Sequence, residues 1–168
     1  MSGSPSPVES SSGTNTATNK TIDFGSTKTA TTGITAGSVF GTAKKVVFSL
    51  GSAANAALPC TAGAGNTGWN VILGFAPGSV TTLGTKTFVK NQTTGGTDAL
   101  VALSDATGAT PTPLTLKETM GYAGTTVTAT NQTFAKTITL QAQLAYAAAA
   151  AATPGAFTAT IPLLVLYK

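Results

Sequence analysis

The last twelve residues carry the most regular alternation of apolar and polar side chains in the chain. Apolar residues occupy every second position from 157 to 167, and Thr158 and Thr160 fall between them. Side chains on a strand alternate between its two faces, so this pattern predicts a terminal strand with one continuous apolar stripe. An edge of such a strand must be covered by a partner. The stripe is therefore the candidate interface: Phe157, Ala159, Ile161, Leu163, Val165 and Tyr167.

Seven earlier segments predict further strands. The clearest is 137–146, where residues 138, 140, 142, 144 and 146 are expected to face the core and the residues between them to face outward. In 98–104 apolar residues fall on both sides, which predicts a strand buried on both faces. The predicted strands are 21–25, 44–50, 69–75, 85–90, 98–104, 114–116 and 137–146.

Turn signals separate these segments, and helical periodicity is not sustained anywhere. Pro77-Gly78, Gly95-Gly96 and Asp105-Ala-Thr-Gly108 mark turns between predicted strands. The alanine-rich run 145–152 has helical propensity, but its position between two strands predicts a loop or a strand extension. Many short strands joined by such turns predict an all-β domain, a sandwich or a barrel.

The first twenty residues differ from the rest of the chain. Residues 1–20 are rich in Ser, Thr, Gly, Asn and Pro, and apart from Met1 only Val8 is a sizeable apolar residue. This composition predicts an extended arm, either flexible or ordered against a neighbouring subunit, ahead of a single domain at 21–168. The start has neither the basic residues nor the apolar core of a signal peptide, so we expect either a mature or recombinant form or a protein that is not secreted by that route.

The chain offers little catalytic, metal-binding or nucleic-acid-binding chemistry. It has nine Lys, no Arg, five acidic residues, no His and one cysteine, Cys60. Without Arg or a basic cluster, nucleic-acid binding is not expected. Without His or a cysteine pair we expect no cofactor, no metal site and no catalytic residue, although Asp98 and Asp105 could meet across a hairpin. No run is long enough to span a membrane, so membrane insertion is not expected.

The order of the motifs resembles that of the major fimbrial subunits, the pilins, which the chaperone–usher pathway of Gram-negative bacteria assembles. The resemblance covers residues 21–168, and each motif is short. The segments that carry it are Thr21-Ile-Asp-Phe-Gly25, Phe48-Ser-Leu50 followed by Cys60, Trp69 to Gly78, Leu100 to Gly108, and Thr137 to the aromatic Tyr167 next to the terminal residue.

This resemblance implies both a fold and a way of assembling. Pilin domains are immunoglobulin-like β-sandwiches that lack one strand, and the gap lies along the C-terminal strand. A periplasmic chaperone fills the gap first, and at the outer-membrane usher a donor strand from the next subunit replaces it, which is a form of β-strand addition. The chain is then expected to be a structural subunit of an extracellular, surface-attached fimbria, polymerised with copies of itself and serving adhesion.

The sequence departs from the pilin pattern in two places. The family pairs the cysteine at the position of Cys60 with one near the N-terminus, and residues 10–13 contain none, so Cys60 is expected to be a buried free thiol. The family's donor arm also alternates apolar residues, and residues 1–20 do not. The arm has therefore been lost, replaced or truncated, or it binds mainly through backbone contacts.

Two other classes compete with this interpretation. A virion structural protein, such as a phage coat, decoration or fibre β-sandwich, would explain the missing signal peptide and the unpaired cysteine. A carbohydrate-binding module would need exposed aromatic side chains, and Trp69, Tyr122 and Tyr146 all have core explanations. Three Asn-x-Thr matches for N-glycosylation, at Asn19, Asn91 and Asn131, are expected by chance in a Thr-rich chain.

Overall fold

The protein is all-β, and its described part contains no helix. The computed structural model describes residues 20–50, 69–118, 125–129 and 136–167. Only the backbone is described at 48–50, 69–72, 125–129, 136–138 and 163–167. Cys60, Met120 and Tyr122, residues 1–19 of the predicted arm and the sequence matches at Asn19 and Asn131 lie outside the described residues, as does the side chain of Trp69.

In the described part of the chain, nine strands form two antiparallel sheets. Six of them make one sheet in the order β1-β8-β5-β4-β3, with β6 added on β5, and three make a second sheet in the order β7-β2-β9. The strands are β1 (Val39–Leu50), β2 (Trp69–Leu73), β3 (Val80–Leu83), β4 (Lys86–Val89), β5 (Leu100–Asp105), β6 (Thr112–Pro113), β7 (Thr125–Ala129), β8 (Lys136–Ala145) and β9 (Leu163–Tyr167).

One face of the six-stranded sheet carries the main core. The register places Val46 of β1 opposite Leu140 of β8, and Leu144 of β8 opposite Val101 of β5, so these residues share a face. The predicted alternation of β8 is confirmed where its side chains are described: Leu140, Ala142 and Leu144 are buried and the residues between them are half-buried. Leu73 and Phe75, at the end of β2 and just after it, join the same core.

The opposite face of the same sheet carries a smaller cluster of Phe88, Leu100 and Ala145. Because Leu100 belongs to this cluster and Val101 to the main core, β5 is buried on both faces, as its sequence predicts. Gly37 covers Phe88 closely: its φ is 77°, and a Cβ built there would lie 3.2 Å from the ring. A side chain at position 37 would therefore push this turn off the cluster.

Tyr146 directly follows β8 and holds an irregular N-terminal segment against the sheet. Its ring is buried and stacks on Phe40 with 4.3 Å between centroids, and its hydroxyl accepts a hydrogen bond from the Ala30 N–H at 2.8 Å. Its main chain exchanges hydrogen bonds with Gly37 and Ser38. The alanine-rich residues that follow form a loop, as predicted, because the chain must turn here to reach its C-terminal segment.

Several predicted strand limits are wrong. Residues 21–25 form no ladder, although Ile22 and Phe24 pack against the main core as their alternation predicts. An Asx turn ends this segment, since the Gly25 N–H donates to Asp23 Oδ1 at 2.7 Å. The sequence pattern also missed β3 and β7, which are rich in threonine and have few apolar residues.

Strand β1 begins earlier than its pattern predicts. It starts at Val39, and a bulge between Phe40 and Lys44 joins two stretches that look separate in the sequence. Gly41 lies in this bulge with φ of 68°, and its carbonyl accepts a hydrogen bond from Gln143 Nε2 at 2.8 Å. Lys44 and Lys45 therefore lie inside the strand rather than at its end, and both are exposed to solvent.

Candidate functional site

The C-terminal segment has two parts with different kinds of attachment. Only β9 forms a ladder, pairing with β2 from Leu163 opposite Leu73 to Tyr167 opposite Trp69. Residues 157–162 form no ladder, so the predicted continuous strand over 157–167 is wrong in its first half. Pro162 stands at the junction and has no N–H to donate, but its carbonyl accepts from the Gly74 N–H at 2.8 Å and adds one contact to the β2–β9 pair.

Asn91 attaches the first half of this segment through its side-chain amide. Its Nδ2 donates to the carbonyls of Ala156 at 2.7 Å and Thr97 at 2.8 Å. Its Oδ1 accepts the N–H groups of Thr158 and Thr93, each at 2.9 Å. An amide has two N–H donors and two acceptor lone pairs, so this half-buried side chain uses its full capacity.

Gln92 continues the attachment by one more step. Its main-chain N–H donates to the Thr158 carbonyl at 2.7 Å, and its Oε1 accepts the Thr160 N–H at 3.1 Å. The two side chains, which we call the amide clamp (Asn91 and Gln92), take the place of a strand partner for residues 156–160. This explains why the segment is extended without belonging to a ladder.

The start of the segment is fixed by a second set of contacts. The Asp98 N–H donates to Thr153 Oγ1 at 3.0 Å, and Asp98 Oδ1 accepts the Thr153 N–H at 2.6 Å. Just beyond, two glycines bring the backbones together: a Cβ on Gly155 would lie 2.6 Å from the Thr97 nitrogen, and a Cβ on Gly96 would overlap the Ala156 carbonyl oxygen. Glycine is needed at both places because of this close approach.

The side chains of the segment alternate in burial as the sequence predicts. Phe157, Ala159 and Ile161 are half-buried and pack against the main core, whereas Thr158 and Thr160 are exposed. Leu163, Val165 and Tyr167, the other predicted site residues, lie in β9, and their register positions are opposite Leu73, Val71 and Trp69. The structure thus puts all six predicted residues along one segment, three of them with described packing.

The main-chain groups of this segment also alternate, and half of them face an open edge. All recorded main-chain hydrogen bonds of residues 156–162 belong to the even-numbered residues. The N–H and C=O groups of successive residues in an extended chain point to opposite edges. Because the Pro162 carbonyl accepts from the Gly74 N–H, the main-chain groups of the even-numbered residues of β9 point toward β2. Among the described residues, the groups at 157, 159, 161, 163, 165 and 167 therefore form one unpaired edge.

Asp98 and Asp105 lie at opposite ends of one strand. Asp98 precedes β5 and Asp105 ends it, which puts them roughly 20 Å apart along the strand, so they do not meet across a hairpin. Asp105 Oδ1 instead accepts the Thr107 N–H at 2.9 Å within the turn. No group of three or more His, Cys, Asp or Glu in the described ranges could hold a metal ion.

Glu118 accepts backbone hydrogen bonds that lower the pKa of its carboxyl group. The N–H of Val80 donates to its Oε1 at 2.9 Å, and this bond and a second one from the Gly78 backbone lower the pKa of the carboxyl group, with a smaller contribution from Lys90. The carboxylate thereby fixes the chain after Leu116 to the first residue of β3. It lies outside the open edge and acts on stability.

We expect this contact to make the protein less stable in acid. Because the folded-state pKa is lowered, the stabilisation is complete above the unfolded-state value of about 4.3 and is lost as the pH falls through the folded-state value. Denaturant unfolding at several pH values should show a smaller loss on acidification in Glu118→Gln than in the wild type. Identical pH profiles would contradict this. The other acidic residues contribute equally to the pH dependence of both proteins, so the difference between the two profiles reports on Glu118.

Two comparisons with known proteins gave no match. No protein-family model matches the chain, and no curated protein sequence matches it. Within the described residues no helix has the length and apolar character needed to cross a membrane.

Proposed function

We propose that this chain is a structural subunit of a bacterial surface fibre and that a strand from a neighbouring copy adds to its open edge. The proposed fold is an immunoglobulin-like β-sandwich completed by that strand. The observation that carries the proposal is the unpaired edge at the odd-numbered residues 157–167, which continues from the clamped segment into β9. Strand addition uses such an edge: backbone hydrogen bonds give affinity and alternate side chains give specificity.

A further observation supports an added strand. Phe157, Ala159 and Ile161 are only half-buried, although they pack against the buried residues of the main core. A strand laid beside them would remove this apolar surface from water and would pair the main-chain groups at the same time. An exposed strand edge left without a partner favours aggregation, so a subunit that keeps one needs a specific occupant.

The resemblance to pilins supplies the rest of the proposal. A periplasmic chaperone would occupy the edge before assembly, an outer-membrane usher would exchange it for another copy of the chain, and the fibre would act in adhesion outside the cell. The donor strand would come from the arm at residues 1–20, and because that arm lacks apolar alternation, backbone contacts would provide most of its affinity. The proposed role requires no catalytic residue and no cofactor.

Ala159→Pro tests the proposal at a single N–H group. Proline removes the N–H at 159, for which no partner is recorded in the described structure, and its fixed φ suits an extended chain. We expect a folded subunit with near-normal thermal stability that no longer appears in fibres by electron microscopy of material from producing cells. Ala159→Gly, which keeps the N–H, is the matched control and should assemble.

Fibres of normal length from Ala159→Pro would contradict the proposal, because the added strand would then not use this edge. Images of the wild-type material decide between the two function classes. A closed shell in which residues 157–167 contact no second strand would favour the virion structural protein, and a fibre with a strand beside these residues supports the surface-fibre subunit.

A further inference from the structure

The open edge is twice as long as β9 alone would make it. Strand β9 offers three odd-numbered positions, and residues 157, 159 and 161 add three more. Positions 157, 159 and 161 continue the edge of β9 only if residues 156–162 stay extended and keep their register. No ladder enforces this. The loop between β4 and β5 does so through the amide clamp, together with main-chain bonds from the Gln92 and Thr97 N–H groups.

Within the clamp, Asn91 has the larger share of the contacts. Its amide bonds to residues on both sides of Phe157, since Nδ2 holds the Ala156 carbonyl and Oδ1 holds the Thr158 N–H. Its other two bonds, to Thr93 and Thr97, close the loop on itself and fix the amide plane. Rotation of the plane would break bonds at both ends, so the amide holds the segment in one register.

We propose that Asn91 is a positioning residue for strand addition: by holding residues 156–158 it sets the length of edge that an incoming strand can pair with. This inference rests on the proposed function and extends it. It states that the loop between β4 and β5, which does not itself touch the added strand, positions residues 157–161 of the interface. The occupant is a strand from a second copy of this chain. Asn91 makes no contact with that strand and acts through the main chain of the segment.

Residue-resolved hydrogen exchange on assembled full-length protein tests this role. In the wild type we expect assembly to protect the amides of all six odd-numbered residues from 157 to 167. In Asn91→Ala the amides at 163, 165 and 167 should remain protected, while the protection of those at 157, 159 and 161 should fall roughly tenfold or more, because the hydrogen bonds that hold this part of the segment are lost. A merely structural loss of stability would lower protection over the whole edge alike.

Two other variants complete the experiment. Gln143→Ala also removes an amide hydrogen bond, the one to the Gly41 carbonyl in β1, and should leave the protection of the edge at the wild-type level. Gln92→Ala removes only the acceptor of the Thr160 N–H, and its effect should be confined to residues 159 and 161. If Asn91→Ala fails to fold, Asn91→Asp carries the test, because it keeps the acceptor of the Thr93 and Thr158 N–H groups and removes only the donor to the Ala156 and Thr97 carbonyls.

The outcomes separate this inference from the proposed function. Wild-type protection at 157, 159 and 161 in assembled Asn91→Ala, or in Asn91→Asp where that variant carries the test, would overturn the positioning role and leave strand addition intact. An edge that stays unprotected in assembled wild-type protein would overturn strand addition and the positioning role with it. A folded Asn91→Ala monomer that does not assemble supports the role, since three positions would then be too few to hold the strand.

Discussion

Ile161→Asp is expected to lower the free energy of unfolding by about 2–4 kcal/mol and to abolish assembly. Ile161 is half-buried against the main core, and it is the last core-packed residue before Pro162. The substitution removes apolar contacts and puts a carboxylate where no charged partner is recorded among the described residues. Denaturant unfolding of the monomer measures the first effect, and electron microscopy of assembled material measures the second.

Thr160→Asp is the matched control for this prediction. The Thr160 side chain is exposed, and its main-chain N–H, which donates to Gln92 Oε1, is unchanged by the substitution. The same charge one residue away should therefore change stability by less than about 0.5 kcal/mol. Equal stabilities of the two variants would show that the alternation of this segment does not decide its packing, and the candidate interface would lose its basis.

The sequence predicts the central strands because their own side chains decide their structure. In β8 and β5 the apolar residues fall at the spacing of a strand and find partners on the facing strand, as at Leu144 opposite Val101. Strand β3 is not predicted, because its own side chains do not show the spacing of a strand. Its two apolar residues, Val80 and Leu83, point to different faces, so no apolar residue repeats at every second position. Pairing with β4 makes this segment a strand.

Alternation predicts which side chains face the core and does not by itself predict a ladder. Residues 22 and 24 alternate in the same way as 157, 159 and 161, and all five pack against the core, yet neither segment belongs to a sheet. A ladder also needs a backbone partner in register. At 156–160 that partner is replaced by side chains from a loop more than sixty residues earlier in the chain.

The sequence therefore predicts the apolar residues of the candidate interface, and it does not predict the amide clamp that holds them in place. In the sequence, Asn91-Gln92-Thr93 follows a predicted strand and matches a glycosylation pattern, and neither feature indicates a contact with the C-terminal segment. Its role depends on the loop that brings Asn91 next to Ala156, and nothing in the local sequence marks that contact. The available signal was weaker: two glycines, Gly96 and Gly155, stand in the two segments that meet, as close backbone contact requires.

Gly155→Ala is expected to destabilise the protein by about 2–3 kcal/mol and to release the clamped segment. The new Cβ would lie 2.6 Å from the Thr97 nitrogen and 2.8 Å from the Gly96 carbonyl carbon, and both are backbone atoms that cannot rotate away. Moving them apart breaks the hydrogen bond from the Thr97 N–H to the Ala156 carbonyl and pulls the same carbonyl from Asn91. Thermal and denaturant unfolding of the monomer measure the effect.

Gly108→Ala separates this contact from the general effect of replacing glycine. Position 108 has open space where the Cβ would go and no positive φ. There the substitution should be neutral or stabilise by up to about 1 kcal/mol, because alanine reduces the entropy of the unfolded chain. Equal stabilities for the two variants would show that the backbones at 96 and 155 do not meet. The loop at 91–98 would then be free of the C-terminal segment, and the open edge would shrink to β9.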